Sequence, residues 1–110
     1  PVISMTESLT HQGSKQSLIG KNPSPEMEQF FSVEKQVSSA TPPTFILHAE
    51  NDQTVPPENT RVFAEALRKN EVEVTEIILP SGGHGFGFKK DSPAFIWTEH
   101  LEKWLEKKID

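Results

Sequence analysis

The sequence predicts an α/β fold with parallel strands, and three observations carry that prediction. Two short apolar runs, Thr44 to Ala49 and residues 72 to 79, have the composition of strands in a sheet, the first of the kind buried on both faces. Between them lies a stretch whose apolar residues recur at helical spacing, and after the second run the spacing becomes helical again. A strand, a helix of about thirteen residues and a strand make a βαβ unit, whose crossover is almost always right-handed.

Taken in order, "PVISM" reads as the tail of a strand, and a proline opening without an initiator methionine reads as a cut chain. The chain is therefore expected to be a fragment. Residues 6 to 43 are polar and hold turn signals at Gly13, Gly20 and "KNPSP", with short helices expected at about 14–19 and 25–31. Ser24 suits the cap of the second, with Pro25 at the first helical position, where a missing N–H costs nothing. Only 34% of the chain is hydrophobic, most of it beyond residue 44, so the first forty residues are expected to add little to a core. The division expected is a loop and short-helix segment over 1–43 and a parallel βαβ unit plus a final helix over 44–110.

In "TPPTFILHA" two prolines bar a helix from entering the first strand. After the polar turn "ENDQTVPPEN", Pro56 and Pro57 start a helix whose Val62, Phe63, Ala66 and Leu67 share a face. Lys69 and Asn70 are expected to close it with a cation and a left-handed cap. "VEVTEIIL" is the second strand. Beyond "LPSGGHGFGF", Ser92 and Pro93 open the last helix, in which Trp97, Leu101, Trp104 and Leu105 form one apolar stripe and read as core.

Charge and composition exclude several functions. A net charge of −5, with eleven Lys and Arg that form no basic stripe, argues against a nucleic-acid partner. No apolar run approaches the roughly 20 residues needed to cross a bilayer, so no membrane partner is expected. Zero cysteines remove disulfides, Cys-based zinc sites and a cysteine nucleophile, and leave the compartment open.

In open parallel sheets, ligands and chemistry gather beyond the carboxyl ends of the strands. Two loops qualify: one carries Asp52, three residues past the first strand, and the other carries His84 among four glycines after the second. If the strands are neighbours, Asp52 and His84 meet at one end of the sheet. A carboxylate that holds the proton on one imidazole nitrogen leaves the other free to take a proton from a serine. The plain alternatives are a surface histidine in a glycine loop and ordinary Asn-Asp turn chemistry. The order Ser, acid, His would place a nucleophile ahead of the acid, yet no Gly-x-Ser-x-Gly occurs: Ser14 sits in "QGSKQ" and Ser81 in "LPSGG".

At this point the sequence resembles a known family. "FILHAENDQTVPPENTRVFAEALRKNEV" followed by "GGHGFGF" is similar to the C-terminal third of α/β-hydrolase fold serine esterases. "PVISM", "HQGSKQSLIGKNPS" and "TPPTFILHAENDQTVP" resemble, more narrowly, bacterial acetylxylan-esterase-like and feruloyl-esterase-like proteins of xylan breakdown, some carried under a xylanase label. The resemblance covers essentially the whole chain. It implies that Asp52 is the triad acid and His84 the triad base, that the serine lies upstream of residue 1, and that the chain alone is inactive. It also implies an acyl ester of a small molecule or plant polysaccharide as substrate, no cofactor, and a periplasmic or secreted location.

The other candidates read more plainly. His48, inside the first strand, is expected to be structural, and a metal site built from His48, Glu50, Asp52 and His84 matches no compact ligand spacing. Phe86 and Phe88 either line the substrate pocket or pack on the last helix, and His11 and His100 are surface residues. Glycoside hydrolysis needs two carboxylates flanking one sugar bond, for which the chain offers no evident cleft. A second function class stays open, a non-catalytic binding module descended from a hydrolase. The partners expected are the missing N-terminal part of the hydrolase domain and a second copy of the chain, recruited by the unpaired edge of the first strand.

Overall fold

The structure, a computed structural model, describes residues 1–110 except Glu7 and Asp110. β1 (Thr44–Ala49) and β2 (Val74–Leu79) lie side by side and parallel, with Thr44 opposite Val74 and Ala49 opposite Leu79. α3 (Glu58–Lys69) joins them. Side chains alternate along a strand, so Phe45 and His48 point to opposite faces of the sheet. His48 meets Thr60 of α3 on one face, while Phe45 packs against Trp104 of α4 (Trp97–Lys108) on the other, with ring centroids 5.7 Å apart. One helix therefore covers each face of the two strands, as an α/β layering requires.

Several boundaries move, each for a local reason. After Pro56 and Pro57, the amides of Asn59 and Thr60 bond back three residues, so a tight turn precedes the helix proper. The buried line of α3 runs through Thr60, Ala64 and Leu67, whereas Val62, Phe63 and Ala66 are only partly covered. At its other end the left-handed residue is Glu71, with φ 59°, and not Asn70. Val72 N–H donates to Leu67 O and Glu71 N–H to Arg68 O, the paired bonds of a Schellman close, which place the left-handed residue one position past the cap. Val72 turns inward and β2 begins at Val74. At the last helix Ser92 Oγ accepts from Ala94 N–H, but the first turn, Pro93–Ile96, is 3₁₀ and α4 begins at Trp97.

The N-terminal segment departs most from expectation. No strand forms at residues 1–5, yet Ile3, Ser4 and Met5 are buried, so the segment does join the core. Its amides are taken by side chains instead of a neighbouring strand: Ile3 and Ser4 donate to Asn59 Oδ1, Met5 to Ser32 Oγ and Thr6 to Ser4 Oγ. Buried backbone donors need partners, and once these are used no ladder remains to be made. α1 (Gln12–Ile19), capped by His11, adds Ile19 to the core. α2 (Pro25–Phe31) is capped by Ser24, which accepts from Met27 N–H, and is tied to α1 by the Lys15–Glu28 ion pair.

The stripe on α4 is less covered than its spacing implies. None of its residues is buried, and Leu105 and Ile109 stand open beside Phe88 and Leu101. Two strands offer a narrow surface, enough to seat Trp104 over Phe45 but not the whole stripe.

Candidate active site

Both loops at the carboxyl end of the sheet are shaped by their own sequences. After β1 the ladder runs one bond further, from Glu50 N–H to Leu79 O, and the chain then turns. Asp52 Oδ1 accepts from the amides of Thr54 and Val55, both at 2.9 Å, which is the local side-chain turn an aspartate favours. After β2, Gly82, Gly83, Gly85 and Gly87 all have positive φ. At Gly82 the need is steric as well, because a Cβ there would run into the side chain of Ala94. Gly82→Ala is expected to cost about 2 kcal/mol or more through strain and overpacking, read as a lower urea midpoint with unchanged slope.

Two contacts fix the loops to their surroundings. Asn51 Oδ1 accepts from Gly83 N–H at 2.8 Å and so joins the acid loop to the histidine loop. Trp97 Nε1 donates to Gly87 O at 2.8 Å, anchoring the far end of the glycine stretch to α4. Phe88 lies over Trp97, with centroids 5.4 Å apart, while Phe86 lines the cleft in front of the site.

In this frame Asp52 and His84 meet. His84 Nδ1 lies 3.0 Å from Asp52 Oδ2, and the same oxygen is 3.0 Å from His48 Nε2. The Asp52 side chain is 5% exposed, that of His48 2% and that of His84 48%. Because Asp52 is ionised and can only accept, the bond to His84 is made by Nδ1–H, which in the neutral ring places the lone pair on Nε2. That nitrogen has no partner among the described residues. A cleft of about 280 Å³ opens there, lined by Leu47, Ala49, Phe86 and Trp97 beside the three polar residues.

Burial works to raise the Asp52 carboxyl. The Val55 amide, the His84 imidazole and the Thr54 amide outweigh it and hold the group at about 2. A depressed carboxyl stabilises the fold at every pH above its ordinary value of 3.8, and that stabilisation is lost as pH falls through about 2. The gap in stability between the parent and Asp52→Asn is therefore expected to shrink by about 2 kcal/mol between pH 6 and pH 2. Parallel urea titrations of both proteins check this, and a gap independent of pH would refute it.

Burial, and after it the charge of the chain's amino terminus, lowers the affinity of His48 for a proton. Glu50 turns away to pair with Arg61, and among the described residues no three His, Asp or Glu side chains are placed to hold a metal ion. The sequence therefore singled out Asp52 and His84, read His48 as structural, and gave no sign of the link from Asn51. His48 had a signal, its position four residues before Asp52, whereas the link from Asn51 to Gly83 spans 32 residues and leaves no local trace.

Comparison with known proteins places these features. An endo-1,4-beta-xylanase B of Butyrivibrio fibrisolvens is 43% identical over 98 residues, covering 89% of this chain. An acetylxylan esterase of Xylanibacter ruminicola is 37% identical over 92 residues, covering 80%. The crystal structure of an acetyl ester-xyloside bifunctional hydrolase from Caldicellulosiruptor lactoaceticus matches 97% of the chain at 44% identity, with a TM-score of 0.92. The chain spans 15%, 19% and 39% of the lengths of these three proteins. The sequence pattern of the prolyl oligopeptidase family runs over residues 2–110. With its parallel strands, its flanking helices and that match over nearly its whole length, the chain belongs to the prolyl oligopeptidase family and has the α/β-hydrolase fold.

Proposed function

We propose that the chain is the C-terminal part of a serine esterase domain, providing Asp52 as the triad acid and His84 as the general base. The observation that carries this reading is the 3.0 Å bond from His84 Nδ1 to Asp52 Oδ2, with Nε2 left free at a cleft. The free nitrogen takes the proton of a serine hydroxyl as its oxygen attacks an ester carbonyl. Asp52 stays ionised and stabilises the imidazolium, which then gives the proton to the departing alcohol. Water repeats the sequence to release the acid and restore the serine.

The serine comes from sequence preceding residue 1, because these 110 residues hold no Gly-x-Ser-x-Gly. The open stripe of α4 and the free edge of β1 then receive the rest of the hydrolase domain, or a second copy of the chain in its absence. An acyl ester of plant polysaccharide, of the acetylxylan type, is the substrate class favoured by the names of the relatives. The xylanase name belongs to a protein of which the chain spans 15%, and Asp52 is the one carboxylate lining the cleft among the described residues, whereas glycoside hydrolysis uses two.

The test is hydrolysis of p-nitrophenyl acetate by the 110-residue chain and by a reading frame that carries a serine elbow upstream. Activity in the second alone supports the proposal. Triad-level turnover by the chain alone, abolished by His84→Ala, would overturn it.

A further inference from the structure

The carboxylate of Asp52 has more partners than a base-orienting acid requires. Oδ1 is held by two backbone amides, and Oδ2 receives both imidazoles. The second imidazole, His48, is itself fixed on every side. Its Nε2 faces two acceptors, Asp52 Oδ2 at 3.0 Å and Val55 O at 2.9 Å, so that nitrogen must carry the hydrogen. In the neutral ring Nδ1 is then bare, and the Thr60 hydroxyl, 2.8 Å away and fully buried on α3, donates to it. A continuous line of donors runs Thr60 to His48 to Asp52, ending on the oxygen that also holds His84.

We propose that His48, locked in its Nε2–H tautomer by Thr60, is a positioning residue that aims Asp52 Oδ2 at His84 and shares the charge of that oxygen. The inference rests on the reading of Asp52 and His84 as acid and base. His48 touches neither substrate nor serine in that scheme and acts only through Asp52. A carboxylate held by Oδ1 alone can still swing about its turn amides, and the His48 N–H is what holds Oδ2 against that swing, 3.0 Å from His84 Nδ1. A neutral donor does this without placing a second cation beside His84.

The geometry also identifies the substitution that separates positioning from packing. The side-chain nitrogen of glutamine lies where His Nε2 does, so His48→Gln keeps the donor, while His48→Leu keeps bulk and loses it. In the serine-bearing hydrolase, His48→Leu is expected to lower kcat roughly tenfold, the value of one hydrogen bond to a charged group, with KM within about twofold. His48→Gln restores most of that loss. Equal activity in the two variants, or a loss confined to KM, overturns the inference.

Proton and nitrogen NMR of the 110-residue chain tests the same point without catalysis, and so separates failure of this inference from failure of the proposed function. His48 is expected to carry its hydrogen on Nε2, and Thr60→Val is expected to shift the resonance of the His84 Nδ1 proton. A hydrogen on Nδ1 of His48, or a His84 resonance unmoved in Thr60→Val and His48→Leu alike, overturns the inference. Should His48→Leu fail to fold, the Thr60→Val spectrum alone decides.

Discussion

Replacing His84 by alanine in the serine-bearing hydrolase is expected to lower kcat for p-nitrophenyl acetate by about four orders of magnitude, with little change in KM. With Pro1 in peptide linkage to the sequence before it, the imidazole is the one group lining the cleft whose free nitrogen can take the serine proton, and alanine leaves no substitute among the described residues. Asp52→Asn is expected to fall nearly as far, for a reason specific to this site. All four groups around the carboxylate are donors: the amides of Thr54 and Val55, Nε2–H of His48 and Nδ1–H of His84. An asparagine must turn its NH₂ toward one pair of them. Facing the imidazoles, it forces His84 to accept at Nδ1 and carry its proton on Nε2, the tautomer that cannot act as base. Facing the turn, it opposes donor to donor and distorts the loop. A loss of less than tenfold in either variant would remove Asp52 and His84 from the reaction. The 110-residue chain alone is expected to hydrolyse the ester no faster than its His84→Ala variant.

The second large effect is on stability. Asn59→Leu is expected to lower the free energy of unfolding by about 3 kcal/mol, roughly 1 kcal/mol for each of the three backbone groups left unpaired, Ile3 N–H, Ser4 N–H and Leu9 O. Asn59 is fully buried at the start of α3, and its amide is used completely. Oδ1 accepts from Ile3 N–H at 3.1 Å and Ser4 N–H at 3.0 Å, while Nδ2 donates to Leu9 O at 2.6 Å and Pro56 O at 3.0 Å. Leucine fills similar space and satisfies none of these. For a domain whose total stability is about 5–15 kcal/mol, the loss is large enough to release the N-terminal segment at moderate temperature. Asn59→Asp keeps the two acceptor bonds but sets a buried carboxylate oxygen against Leu9 O and Pro56 O, and is expected to cost at least as much at neutral pH. Urea unfolding of the three proteins checks the order, and a cost below about 0.5 kcal/mol for the leucine variant would mean that Asn59 does not pin the segment.

The parts of the fold legible in sequence are those written in local patterns. Thr44 to Ala49 reads as a strand because six residues of that apolar density, entered through two prolines, have little alternative. Ser24 and Ser92 read as caps because a hydroxyl acts within three residues of itself. Trp97 and Trp104 read as core from their spacing, and spacing says nothing of whether a second layer is present to cover them, which is why Leu105 and Ile109 remain open. The first forty residues read as peripheral because they are polar. Asn59, Ser32 and Ser4 show how a polar segment joins a core when its amides have buried side-chain acceptors.

Local patterns in the chain account for the α/β class, the order of strand, helix and strand, the two loops beyond the carboxyl ends of the strands, and the place of Asp52 and His84 on those loops. Each follows from rules that act within a few residues: periodicity, capping, and the position of a loop relative to the end of its strand. That one oxygen of Asp52 is shared by His48 and His84, that Asn51 ties the two loops, and that Asn59 holds a segment more than fifty residues away all arise from packing between distant parts of the chain. A hydrogen bond depends on the placement of two groups to within a few tenths of an ångström. For partners far apart in the chain, that placement is set by how α3 packs against the sheet, which no local pattern of residues records.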